Sequence, residues 1–135
     1  MEVVQRYLEI QQARFPDRLQ IVIDVAAETR DAAVPTLLLQ PLVENAIRHG
    51  IAESTKAGRV EVRTRLSGDT VTVEIVNDGP PLAPGWQEHE GVGLSSTRRR
   101  LEQLYGQRGS VELENLRPGV VARVRIPYSQ ELGDA

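Results

Sequence analysis

LLQPLVENAIRHG, running from Leu38 to Gly50, has two faces when wound at 3.6 residues per turn. Leu38, Leu39, Leu42, Val43, Ala46 and Ile47 share one side. Gln40, Glu44 and Arg48 form an i, i+4 row on the other, with Asn45 at its edge. A carboxylate beside a carboxamide, one turn before a cation, can grip a metal and a phosphate. Glu44 and Arg48 equally suit an ordinary surface ion pair. Pro41 lacks a backbone donor, so an undisturbed helix must start near Leu38 and hold Pro41 in its first turn. Gly50 is placed to stop it.

Working outward, the chain alternates short elements. Glu2 to Phe15 reads as a helix with Val3, Val4, Tyr7, Leu8 and Ile10 as its apolar side, ended by Pro16. Leu19 to Val25 alternates as a strand, and Glu28 to Ala33 is polar loop. Arg59 to Leu66 and Thr70 to Val76 alternate around Ser67-Gly68-Asp69, a hairpin pattern. Asn77 to Gly91 holds three prolines and three glycines and is a long loop containing the only tryptophan, Trp86. A helix resumes at Val92 or Gly93 and runs to Tyr105, with Leu94, Leu101, Leu104 and Tyr105 inward and Gly106 as its cap. Ser110 to Asn115 and Val120 to Pro127 form a second hairpin. The expected fold is an α/β sandwich: a mixed, mostly antiparallel sheet with three helices on one face. Residues 1–128 are expected to form a single domain, with 1–16 as its lead-in helix and 129–135 as a tail.

Composition narrows the functions. At 135 residues there is room for one core. A net charge of -3 argues against a general affinity for nucleic acid. There is no cysteine, hence no disulfide or thiol chemistry, and two distant histidines make a histidine-rich metal site a poor fit. No apolar run reaches membrane-spanning length. The expectation is a soluble cytoplasmic domain without membrane contact of its own, free or attached to a membrane sensor.

Chemistry collects in three places. Gly91-Val92-Gly93 opens a helix, where free amides attract phosphate, and Ser95, Ser96 and Thr97 follow in its first turn. No Walker pattern exists, since GxxxxGK[ST] is absent. Asn77-Asp78-Gly79 ends a strand in polar groups. The helix from Leu38 supplies the third set. In this order and spacing, LQPLVENAIRHG, NDGPP, GVGLSSTRRRL and VRIP resemble the ATP-binding domain of sensor histidine kinases of the LytS and AlgZ type, which share the Bergerat-type fold with gyrase, the heat-shock-ninety chaperones and the MutL proteins. YLEIQQARFPDRL resembles the stretch leading into that domain.

The resemblance implies ATP and Mg²⁺ as ligands and assigns roles. Asn45 would bind the Mg²⁺, and Glu44 would polarise the attacking histidine or water. Arg48 would contact phosphate, and His49 would lie against adenine. Asn77, at a position that is Asp in the wider superfamily, would read the adenine amino group, with Asp78 as its alternative and Gly79 as the first glycine of that motif. Residues 80–90 would be a mobile lid. Gly91, Gly93, Leu94 and Ser95 would supply the glycine turn and groups at the phosphates. Pro81 and Ser96 depart from the family pattern. The family's acceptor histidine lies on an upstream dimerisation domain in a PHF-type motif, which neither His49 nor His89 matches. The implied partners are that upstream domain and a response regulator. An anti-sigma-factor-type serine kinase, or a nucleotide-binding docking module without catalysis, are the alternatives.

Overall fold

The computed structural model describes residues 2–14, 19–51, 58–79, 92–116 and 119–130, with the side chains at 49–51, 92 and 93 outside that description. The elements in order are helix α1 (Glu2–Arg14), strand β1 (Leu19–Val25), helix α2 (Thr36–Ile51), strands β2 (Gly58–Ser67) and β3 (Thr70–Asn77), helix α3 (Val92–Tyr105), and strands β4 (Ser110–Asn115) and β5 (Val120–Pro127). One-turn 3-10 helices cover Ala27–Thr29 and Gly106–Arg108. The strands form one open sheet in the order β1-β2-β3-β5-β4. Only β1 and β2 are parallel; the other pairings are antiparallel. The three helices cover one face, as expected.

Strand alternation builds that face. Val71, Val73 and Ile75 of β3 lie opposite Ile126, Val124 and Ala122 of β5 and point into the core with Val60 and Val62 of β2. α2 lays Leu38, Leu39, Leu42, Val43, Ala46 and Ile47 onto them, all buried. α3 adds Leu94 and Leu101. It also adds Thr97, which is 2% exposed and sits inward rather than beside Ser95 and Ser96 at the surface. The opposite, uncovered face carries a row of alternating charge in strict cross-strand register: Asp24, Arg63, Glu74, Arg123 and Glu112. Within it Arg123 bonds Glu74 at 2.9 Å and, beside the row, Glu114 at 3.2 Å. Opposite charges facing each other across strands stabilise the register.

Three sequence expectations need correction. α2 begins at Thr36, so Pro41 lies inside the helix rather than in its first turn. The amide missing at Pro41 would have bonded the carbonyl of Leu37, whose side chain is exposed at the helix start. The Leu38 amide instead closes the first turn onto the Pro35 carbonyl at 3.0 Å. Gly50 does not end α2, which reaches Ile51. In α1 the buried stripe is Val4, Leu8 and Gln11, at i, i+4 and i+7, while Val3 and Ile10 are 69% and 55% exposed. Glutamines take over at this contact because β1 is an edge strand with unpaired backbone groups. The Gln12 carboxamide donates to the Leu19 carbonyl and accepts from the Ile21 amide, filling that edge. Phe15, Pro16, Trp86 and residues 80–91 lie outside the described residues.

Candidate functional site

Asn77 extends the inward row of β3, Val71-Val73-Ile75, by one more period of two. It therefore emerges on the helix-covered side, where it is 5% exposed. α2 crosses the same end of β3, so its polar edge comes to the same place. A pocket of about 40 Å³ lies there, lined by Leu42, Asn45 and Ala46 of α2, Ile75 and Asn77 of β3, Leu113 of β4, and Val120 and Ala122 of β5. Its walls are mostly aliphatic, and the two carboxamides are its polar groups. Walls of that composition suit a flat, mostly apolar group that bears a few hydrogen-bonding atoms, although the space between them here holds only a few water-sized groups.

Each polar side chain near it has a defined partner. Asn77 Oδ1 accepts from the Gly79 amide at 2.9 Å, an Asx-type turn that sets the chain's exit from β3. Among the described residues, one lone pair of that oxygen and the Nδ2 group have no partner and can serve a ligand. Asp78 points elsewhere. Its exposed carboxylate accepts from the Arg59 amide at 3.0 Å, while its own amide donates to the Arg59 carbonyl, extending the β2–β3 ladder. Of the two candidates for reading a base, Asn77 lines the pocket and Asp78 does not.

On α2, Glu44, Asn45 and Arg48 are exposed. Gln40 donates to Glu44 at 3.4 Å, as the i, i+4 row predicts. Arg48 instead turns one turn back and donates to Asn45 Oδ1 at 3.3 Å. Among the described residues Glu44 and Arg48 form no ion pair, so the simple surface-pair reading of that row is not what the structure adopts. An Arg held on a carboxamide oxygen is a cation beside a potential metal ligand. Among the described residues no three His, Cys, Asp or Glu side chains come together. The described residues therefore offer no all-protein metal cage. A single Asn45 oxygen nevertheless fits Mg²⁺, which takes one or two protein oxygens and fills its octahedron with phosphate and water.

α3 packs alongside α2. Gly93 falls in the first turn of α3, Leu94 is buried in the core, and Ser95 is exposed. None of these three lines the described pocket. Gly91 and the side chain of His49 lie outside the described residues.

Sequence reading missed the far wall of the pocket, Leu113, Val120 and Ala122, and missed Gly119. Register explains the wall, because Asn77 pairs with Val120 and Ile75 with Ala122. Gly119 has φ +105°, and a Cβ there would fall 2.0 Å from the Asn77 carbonyl oxygen. The glycine of Arg117-Pro118-Gly119 was legible as a turn, but not as the residue that lets β5 close against Asn77.

The chain is similar to known proteins over most of its length. Residues 30–130 match the family described as "Histidine kinase-, DNA gyrase B-, and HSP90-like ATPase". The chain is 30% identical to the sensor protein LytS of Oceanobacillus iheyensis over 141 residues, covering 95% of this chain and 24% of that protein. It is 32% identical to the sensor histidine kinase BtsS of Escherichia coli K12 over 133 residues, covering 97% of this chain and 23% of that one. The chain thus spans about a quarter of the length of these relatives. Among solved structures, the catalytic domain of the histidine kinase ThkA shares the fold with a TM-score of 0.73 at 23% identity, covering 96% of this chain and 92% of that one. ThkA has also been solved in complex with the response regulator TrrA; that structure matches with a TM-score of 0.69 at 23% identity, covering 96% of this chain and 39% of that one.

Proposed function

The chain belongs to the histidine kinase-, DNA gyrase B- and HSP90-like ATPase family, and from that premise we propose that it is the ATP- and Mg²⁺-binding catalytic domain of a two-component sensor histidine kinase. The observation that supports this most is the shared pocket: Asn45 from α2 and Asn77 from the end of β3 line one aliphatic cavity. Adenine enters by parting Leu42, Ile75, Leu113 and Ala122, and its amino group donates to the free lone pair of Asn77 Oδ1. The phosphates run outward along the Asn45 edge toward the first turn of α3, whose amides and Ser95 face developing charge. Asn45 Oδ1 would hold Mg²⁺, which neutralises phosphate charge when bound. Arg48, now on Asn45, then turns to phosphate oxygens.

Transfer is in line. An imidazole nitrogen of the acceptor histidine forms the new bond to the γ-phosphorus, the bond from that phosphorus to the β-phosphate oxygen breaks, and ADP leaves. Glu44 polarises the imidazole and takes its ring proton. Positioning and electrostatics supply most of the rate. The acceptor lies on an upstream dimerisation domain, and the phosphoryl group passes on to a response regulator, the class of partner seen with ThkA. Among the described residues no helix is long and apolar enough to cross a membrane. We assign the domain to the cytoplasm, including the cytoplasmic part of a membrane sensor.

The test is Glu44→Gln with an acceptor domain supplied. Mg-ATP binding should stay near normal while phosphoryl transfer is lost. Transfer at the parental rate would remove Glu44 from the mechanism. Binding without transfer in the parental chain would favour a nucleotide-dependent docking module.

A further inference from the structure

The two edges of the sheet are finished differently. β1 lies at one, where the Gln12 carboxamide of α1 meets both the Leu19 carbonyl and the Ile21 amide. β4 lies at the other and pairs with β5 alone. In an antiparallel strand the backbone groups of successive residues point alternately to the two sides. The Val111 carbonyl accepts from Arg98 of α3 at 2.7 Å, so Val111 points away from β5. The Leu116 amide donates to the Gly119 carbonyl at 2.7 Å, so the even-numbered positions point the other way. Leu113 therefore faces outward with Val111. Among the described residues, the amides of Val111 and Leu113 and the carbonyl of Leu113 have no partner. Such a row of backbone groups is a template for one more strand.

Both faces of the sheet say what that strand must carry. On the helix-covered side, a groove of about 340 Å³ runs between the start of β4, at Gly109, Ser110 and Val111, and the Arg98, Leu101 and Glu102 side of α3. It has room for side chains of modest size. On the uncovered side, the row Asp24, Arg63, Glu74, Arg123 alternates in sign strand by strand and ends at β4 on Glu112. Glu112 and Glu114 reach back to Arg125 and Arg123 of β5 at 3.4 Å and 3.2 Å, yet their side chains stay 61% and 60% exposed. Opposite charges facing each other across strands are favourable and like charges are not, so the next strand in the series carries positive charge. The same rule disfavours a second copy of the chain. β4 paired antiparallel with itself about Leu113 would set Glu112 against Glu114 twice.

We infer that the β4 edge is a docking site for an extended partner segment with lysine or arginine at alternate positions. Its basic residues lie over Glu112 and Glu114, and the apolar residues between them face the groove beside α3. Its backbone pairs with Val111 and Leu113, and Arg98 yields the Val111 carbonyl to it. The groove shares no lining residue with the pocket of Asn45 and Asn77, so docking requires no nucleotide.

The test is an amide NMR titration of the whole chain, without nucleotide, using a capped heptapeptide of alternating lysine and valine. Saturable shifts should gather on Ser110 to Asn115 and on Arg98 to Glu102, with slower hydrogen exchange at the Val111 and Leu113 amides. The counterpart of alternating glutamate and valine should bind about tenfold more weakly, and Glu112→Gln combined with Glu114→Gln should erase that preference. Arg98→Ala should tighten binding of the lysine peptide, because it uncovers the Val111 carbonyl and removes a like charge. Methylating the valine amides or the lysine amides of the peptide should abolish binding for one set only, since a single edge of an added strand meets β4. No saturation at millimolar lysine peptide, or shifts gathered away from β4, would overturn the inference. So would equal affinity for the two peptides, a preference that survives both glutamine substitutions, weaker binding to Arg98→Ala, or tolerance of both methylated forms.

Discussion

Gly119→Ala should damage both the fold and the pocket, and the structure sets the size of the effect. Gly119 has φ +105°, outside the left-handed region that L residues occasionally visit, and its added Cβ would sit 2.0 Å from the Asn77 carbonyl oxygen and 3.3 Å from the Asp78 Cα. Gly68→Ala is the internal control, with φ +61° and nothing within 4 Å of the new Cβ. The control pays only for holding a Cβ in the left-handed region, about 1 kcal/mol. Gly119→Ala adds backbone strain of about 1–3 kcal/mol to overpacking of about 1–3 kcal/mol, so about 2–6 kcal/mol in total. For a domain of this length 1 kcal/mol shifts the melting temperature by about 4 °C. The control should therefore melt about 4 °C lower than the parent, and Gly119→Ala about 8–24 °C lower. The clash is with backbone, so it cannot be relieved by a rotamer change. The end of β3 must move, and Asn77 moves with it. Calorimetry below the lowered melting temperature should then find weaker Mg-ATP binding in Gly119→Ala than in Gly68→Ala. Equal melting temperatures for the two variants, with equal nucleotide affinity, would refute the close approach of Gly119 to Asn77.

Other outcomes follow from the same contacts. Asn45→Ala should remove most of the Mg²⁺-dependent part of ATP binding by calorimetry while leaving the Mg²⁺-free part. Gln12→Ala should cost about 1–2 kcal/mol by urea unfolding, because it unpairs two backbone groups on the β1 edge, and it should speed hydrogen exchange at the Ile21 amide. In the charge row, burial pushes the Glu74 carboxyl up, but the Arg123 hydrogen bond and charge, with Arg65 and Arg63, outweigh it, so the folded value lies below the ordinary carboxylate range. The stability it contributes is present above that ordinary range and is lost as pH falls through the lowered folded value. Glu74→Gln should therefore destabilise by about 1–2 kcal/mol at neutral pH and flatten the acid end of the stability curve.

Periodicity made most of the fold legible. Leu19-Gln20-Ile21-Val22-Ile23-Asp24-Val25 alternates cleanly enough to give β1 its observed ends, and the two hairpins were readable from alternation around glycine turns. The apolar side of α2 was readable because six residues at helical spacing have one reason to coincide. Where the reading failed, a long-range partner decided the matter. Val3 and Ile10 looked inward by hydropathy, yet α1 must also satisfy the open edge of β1, and a glutamine does that better than an isoleucine. Pro41 looked like a first-turn residue by local rules, yet the burial of Leu38 and Leu39 holds the helix through it. The near side of the pocket was visible as Asn45 and Asn77 because polar groups at the ends of apolar elements stand out. Its far wall was not, because Leu113, Val120 and Ala122 look like ordinary strand residues until the strand order β3-β5-β4 is known. The alternating row Asp24, Arg63, Glu74, Arg123 and Glu112 is likewise a product of register, with no local signature.

The central claim is that ATP occupies the cavity between α2 and the end of β3. An amide NMR titration of the chain with a non-hydrolysable ATP analogue and Mg²⁺ tests it most directly. Saturable shifts should gather on Asn45, Asn77 to Gly79, Val120 to Ala122 and the first turn of α3, with strength in the micromolar to sub-millimolar range, about 5–8 kcal/mol. Shifts gathered instead in the separate groove between α3 and β4, around Arg98, Glu102 and Ser110, or no saturation at millimolar analogue, would contradict it.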